Sequence, residues 1–105
     1  MRIKEYKYNG STFVLDELVK VHSFYGRIKE IKRNKDNVHT TVKIQLLYAI
    51  QPNGLTKFEN VIYSDICFVE KAKEEIEFKI DELTHMIKQY KKLLFEGGFT
   101  SLVLK

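Results

Sequence analysis

The chain has one cysteine, one proline and no tryptophan among its 105 residues. The single Cys67 rules out an internal disulfide and a cysteine-rich metal site. Its neighbours Ile66 and Phe68 mark it as a buried, inert thiol, because no cation stands beside it to favour the thiolate. Long apolar runs are missing as well. None approaches the ~18 residues that a bilayer span requires, and Met1-Arg2-Ile3-Lys4 lacks the apolar stretch of a signal peptide. The expectation is a cytoplasmic protein with no membrane partner.

Catalytic patterns are equally scarce. His22, His39 and His85 are far apart and none has the spacing of a metal-binding helix. Ser11, Ser23, Ser64 and Ser101 lack nucleophile-elbow glycines, and no glycine-rich phosphate loop follows a strand. The acid pairs Asp16-Glu17 and Asp81-Glu82 suit a turn and a helix surface. These absences argue against an enzyme, a metal or a cofactor and leave binding as the mode of action. Alanine is rare too, at Ala49 and Ala72 only, beside many lysines, isoleucines, tyrosines and phenylalanines. Their codons are A/T-rich, which suits a low-GC bacterium or its phages.

What is present is organised around residues 70–96. Ile76, Ile80, Leu83, Ile87, Tyr90 and Leu94 recur at alternating spacings of four and three, the heptad stripe of an amphipathic helix. No proline or glycine interrupts the segment. Glu70, Glu74, Glu75 and Glu77 crowd its start and Lys88, Lys91 and Lys92 its end, the order that the helix macrodipole favours. Gly97 and Gly98 stop it, because glycine adopts the left-handed closing conformation freely. About 27 residues at ~1.5 Å each make a rod of roughly 40 Å. The rest of the chain is short for an independent core, so the stripe is expected to pack on its own sheet or on a second chain. Isoleucine at most a positions (Ile80 and Ile87, with Leu94) and leucine at one d position (Leu83, with Ile76 and Tyr90) resemble what favours parallel two-stranded coils, which makes a homodimer the favoured oligomer. The orientation of the helices stays open.

The segment before the helix, residues 1–69, reads as a β-rich body, and the whole of 1–105 as one domain. Arg2 to Tyr8 reads as a short first strand that ends at Asn9-Gly10, a strong turn signal. Thr12 to Leu15 and Leu18 to His22 read as strands, with a short helix over Thr12 to Lys20 as the alternative. In Arg27 to Arg33, Ile28 and Ile31 lie three apart, the spacing of a bulged strand. From Val38 to Ile50 apolar and polar residues alternate strictly, the pattern of a strand with one buried face along its length. Pro52-Asn53-Gly54 turns the chain, Leu55 to Ile62 returns as the hairpin partner, and Ser64-Asp65 makes a second turn. Ile66 to Val69 is a last short strand or the lead-in to the helix. Phe99 to Leu104 forms an apolar tail, expected to add a strand to a sheet edge.

The fold class that follows is α+β: a small antiparallel sheet of about five short strands, one long C-terminal helix and a short apolar tail strand over 97–105. The run Leu18-Val19-Lys20-Val21, Gly26-Arg27-Ile28, Val42 to Ile44, Phe58 to Val61 and Ser64-Asp65-Ile66 resembles the pattern of SH3-like small barrels. The resemblance implies architecture alone, since such barrels host many functions.

Charge points to the binding surface. Residues 1–35 hold nine Lys or Arg against four acids, while 70–96 hold six against seven. The field is therefore positive in the first third of the chain, and Tyr25, Arg27, Lys29, Lys32, Arg33 and Lys35 form its densest part. Lys7 between Tyr6 and Tyr8 repeats the mixture. Cations beside aromatic platforms are what small barrels use on single strands. The expectation is an accessory or inhibitory factor of the phage or mobile-element type that engages nucleic acid or a complex handling it. The alternatives are an oligomeric binder of a nucleotide or other phosphorylated small molecule and a structural self-associating module.

Overall fold

The computed structural model describes residues 2–34 and 39–97. Lys35 and the tail from Gly98 onward lie outside the described residues. The chain divides into two units, residues 1–73 and 74–105.

Among the described residues the first unit holds eight strands: β1 (Arg2–Ile3), β2 (Glu5–Tyr8), β3 (Ser11–Val14), β4 (Leu18–Val21), β5 (Phe24–Arg33), β6 (Thr40–Gln51), β7 (Gly54–Asp65) and β8 (Glu70–Lys71). Five form one curled antiparallel sheet in the order β7-β6-β5-β4-β8, a half-barrel, and β1 joins it by pairing with β5 beyond the end of β4. β2 and β3 make a separate hairpin. The stretch from Arg2 to Tyr8 is thus two strands serving two sheets, where its pattern suggested one. Asn9 and Gly10 turn the hairpin with φ of 51° and 80°, the paired left-handed geometry that a right-twisted hairpin needs.

The core lies on one face of the half-barrel. Cross-strand neighbours project to the same face, so the rows Ile28–Ile44–Ile62 and Ile31–Val42–Ser64 define it. Val19, Val21, Ile28, Ile31, Val42, Ile44 and Leu46 are buried there, joined by Phe13 of the hairpin and by Ile66 and Val69. Ile28 and Ile31 share this face because β5 carries a bulge between Ile28 and Glu30, as their spacing predicts.

A second irregularity corrects the reading of β6. Burial alternates from Thr40 to Leu46, but the ladder shifts between Leu46 and Tyr48, and Tyr48 is exposed. The buried face therefore ends at Leu46, because one extra residue on the opposite strand breaks the alternation. At the matching point on β5, Gly26 lies so close to β6 that a Cβ would run into the Gln45 carbonyl and stand 2.9 Å from Ile44 Cγ2. Glycine is required here by close approach of two backbones.

Ser64 and Asp65 do not form a turn; they end β7. Asp65 instead caps the 3-10 turn Ile66–Phe68, its Oδ1 accepting the Cys67 N–H at 3.0 Å, which satisfies an otherwise unpaired donor. Glu70 and Lys71 continue as β8 against β4. Lys71 ties this strand down. Its ammonium lies 4.9 Å from the Phe13 ring centroid, meets Glu17 Oε2 at 2.6 Å and donates to the Thr12 carbonyl, while Glu17 Oε1 accepts the Val14 N–H at 3.0 Å.

The second unit is carried by α1, Lys73–Lys92, followed by a π-helical turn over Leu93–Gly97. The helix begins three residues later than the acidic run from Glu70 suggests, because β-pairing with β4 claims Glu70 and Lys71 first. None of its residues is buried. No helix among the described residues is long and apolar enough to cross a membrane.

Candidate functional site

The face of the half-barrel opposite the core gathers the cations. Three rows run across β5, β6 and β7: Arg27–Gln45–Val61, Glu30–Lys43–Tyr63 and Lys32–Thr41–Asp65. At the Ile3↔Ile31 and Arg2↔Lys32 pairs β1 joins the same strand. A cleft of about 450 Å³ opens here, lined by Lys4, Lys29 and Lys43 together with Glu30. Its remaining wall is apolar, from Ile3, Leu15 and Ile31. Lysine stems of this kind lie along apolar surface while the ammonium stays in water.

Asp16 organises the near side. It sits in the β3–β4 turn at φ 66°, a left-handed conformation that aspartate tolerates better than most residues. Arg27 donates to its carbonyl oxygen at 2.8 Å and Lys29 to its carboxylate at 2.9 Å. The Lys29 hydrogen bond and charge, with help from Arg27, hold the Asp16 carboxyl below its ordinary range. Both cations are thereby directed by a single acid. The pair is exposed to solvent and weakly held, so an incoming anion can compete for Lys29.

Of the six residues singled out by charge, Arg27, Lys29, Lys32 and Arg33 are exposed on β5, and Lys35 lies outside the described residues. Tyr25 is buried at 8% exposure, so its ring offers a ligand little surface. Tyr6 and Tyr8 pack against the core, and Phe24 stacks on Phe58 with centroids 5.0 Å apart. The aromatic side chain on the cationic face is Tyr63, 67% exposed and directly across from Lys43. Sequence reasoning missed Tyr63, Lys43 and Lys4. The signal for the first two was parity: Lys43 occupies the polar phase of β6, whose other phase is buried up to Leu46, and Tyr63 alternates on β7 with half-buried Ile62 and Ser64.

Cys67 is exposed rather than buried, because the 3-10 turn directs Ile66 inward and leaves its neighbour outside. Loss of hydration, reinforced by the Asp65 carboxylate, raises the thiol's pKa, which disfavours the thiolate. Asp65 also meets His39 Nδ1 at 3.0 Å. Among the described residues no three His, Cys, Asp or Glu side chains gather into a metal-ligand set.

The chain matches no protein-family model, no curated protein and no solved structure.

Proposed function

We propose that this protein acts by binding, without turnover, and that the outer face of its half-barrel engages single-stranded nucleic acid, as an accessory or inhibitory factor for a complex that handles it. The observation that carries the reading is the row Glu30–Lys43–Tyr63 beside the Lys4–Lys29–Lys43 cleft. It sets an exposed aromatic ring next to converging cations. A polyanion gains from the cations by counterion release, and an unstacked base gains about 1–3 kcal/mol from an aromatic platform. Arg27 and Lys32, in the rows on either side, extend the positive track along β5.

A second reading rests on the cleft itself. A volume of about 450 Å³ falls in the range of small-ligand sites, and three lysines suit a phosphorylated small molecule.

Fluorescence anisotropy with a labelled oligothymidylate, over a series of salt concentrations, tests the first reading. Lys32→Glu with Lys43→Gln is expected to weaken binding and flatten its salt dependence. Tyr63→Ala is expected to weaken binding about tenfold or more at unchanged salt slope. Binding unaffected by all three changes defeats the proposal. Calorimetric uptake of a mononucleotide without uptake of the oligonucleotide transfers the site to the second reading.

A further inference from the structure

The apolar stripe of α1 is exposed from Ile80 onward, with Ile76 half-buried at its start. Ile80, Leu83, Ile87 and Tyr90 are each more than half exposed, on the regular α-helical part that ends at Lys92. Its charges are divided as sharply as its faces. Residues 73–82 carry Glu74, Glu75, Glu77, Asp81 and Glu82 against Lys73 and Lys79, a net −3; residues 83–92 carry Lys88, Lys91 and Lys92 and no acid, a net +3.

From this self-complementary pattern we infer that α1 is a homodimerisation surface whose occupant is the same helix of a second copy, running antiparallel. The register follows from the stripe. Setting Ile80 against the partner's Tyr90 also sets Leu83 against the partner's Ile87, and the twofold axis repeats both contacts, so four successive layers close together. The same register lays the −3 half of each helix along the +3 half of the other. It brings Glu77 beside the partner's Lys91 at the edge of the seam, twice per dimer, and the two copies of Met86 together on the opposite edge. A parallel pair places like halves level, −3 beside −3. Its flanking contacts are Lys79 with the partner's Thr84 and Met86 with the partner's Lys91, neither an ion pair. Opposed macrodipoles favour the antiparallel arrangement further. The π-helical turn from Leu93 alters the phase of the helix, so Leu94, the residue opposite the partner's Ile76 in this register, falls out of the regular stripe and the seam is the stretch from Ile80 to Tyr90. This inference is independent of the cationic face, since it uses residues of α1 alone.

The test uses the full chain with Cys67→Ser and Glu74→Cys, spin-labelled at the new cysteine, in sedimentation equilibrium and double electron–electron resonance. A dimer with labels about 33 Å apart is expected, because Glu74 lies some eleven residues from the twofold axis at ~1.5 Å each. A dimer with labels within about 20 Å overturns the orientation, and a monomer at all concentrations overturns the surface. Charge swaps give an independent check in unlabelled protein. Glu77→Lys or Lys91→Glu alone is expected to loosen the dimer about tenfold, and the two together to restore it, since two attractive pairs become repulsive and then attractive again. Equal effects of the single and double variants also defeat the register.

Discussion

β6 and α1 both carry apolar residues at the period of their own secondary structure, and the two elements treat them in opposite ways. In β6 the periodic set is covered: Val42 and Ile44 have no exposed surface and Leu46 almost none. In α1 the periodic set is open, and Ile87 remains 52% exposed. Periodicity therefore reports that a face exists and which residues share it. Only a neighbouring element determines what covers that face. β6 has β5 and β7 on its two sides and the β2–β3 hairpin contributing Phe13 to the core, whereas no residue of α1 is buried.

The sharpest way to break this contrast is to cut equivalent side chains from both elements. Ile44→Ala is expected to cost about 2–5 kcal/mol, the transfer energy of the lost carbons plus that of the cavity left behind. Leu83→Ala, measured at a concentration too low for association, is expected to cost less than about 1 kcal/mol, and its effect is expected to grow with protein concentration. Urea titrations of the two variants check both. Equal costs at every concentration would erase the distinction between the elements.

Gly26→Ala tests the body at its tightest point. A Cβ there meets the Gln45 carbonyl and the Ile44 side chain, and the backbone must shift to admit it. A loss of about 1–3 kcal/mol is expected, read as a lowered urea midpoint.

Next in size is the Lys71 clamp. Glu17 retains only 17% side-chain exposure and receives both Lys71 and the Val14 N–H. Glu17→Ala leaves that amide and the ammonium without their acceptor, so a loss of about 1–2 kcal/mol is expected. Lys71→Met keeps the packing over Phe13 and is expected to cost less.

The pH dependence is a smaller effect, with a defined sign. Asp65, through the Cys67 N–H and then His39, and Asp16, through Lys29, have carboxyls held below the ordinary aspartate value of 3.8. Their contribution is fully present above that value and is lost as pH falls through the lower folded-state values. Thermal unfolding followed by circular dichroism is expected to show declining stability below about pH 4. Asp65→Ala is expected to make the decline shallower, and an unchanged profile would remove Asp65 from the account. The smallest effect concerns His22, which holds φ at 55° between β4 and β5. His22→Gly relieves that conformation, worth up to about 1 kcal/mol, and gives up the ring contact with Phe68 at 5.8 Å. A net change under about 0.5 kcal/mol is expected in the same titrations.

What the sequence by itself determined was each element's period and its punctuation. The 3.6-residue stripe from Ile76 to Tyr90, the alternation from Thr40 to Leu46, the Asn9-Gly10 turn and the bulge between Ile28 and Ile31 were all legible, because each depends on residues close together in the chain. The concentration of cations on Arg27 to Arg33 was legible for the same reason. Tertiary structure alone decided that Ser64-Asp65 continues β7, that Glu70-Lys71 joins β4 in place of the helix, and that the extra residue opposite Leu47 exposes Tyr48. It alone decided that Tyr25 is covered while Tyr63 stands beside Lys43, and that Lys4 reaches the same cleft. Those outcomes depend on which strands become neighbours and in what register. Pairing is a contest among distant segments for the same backbone donors and acceptors, and no local pattern of side chains contains its result.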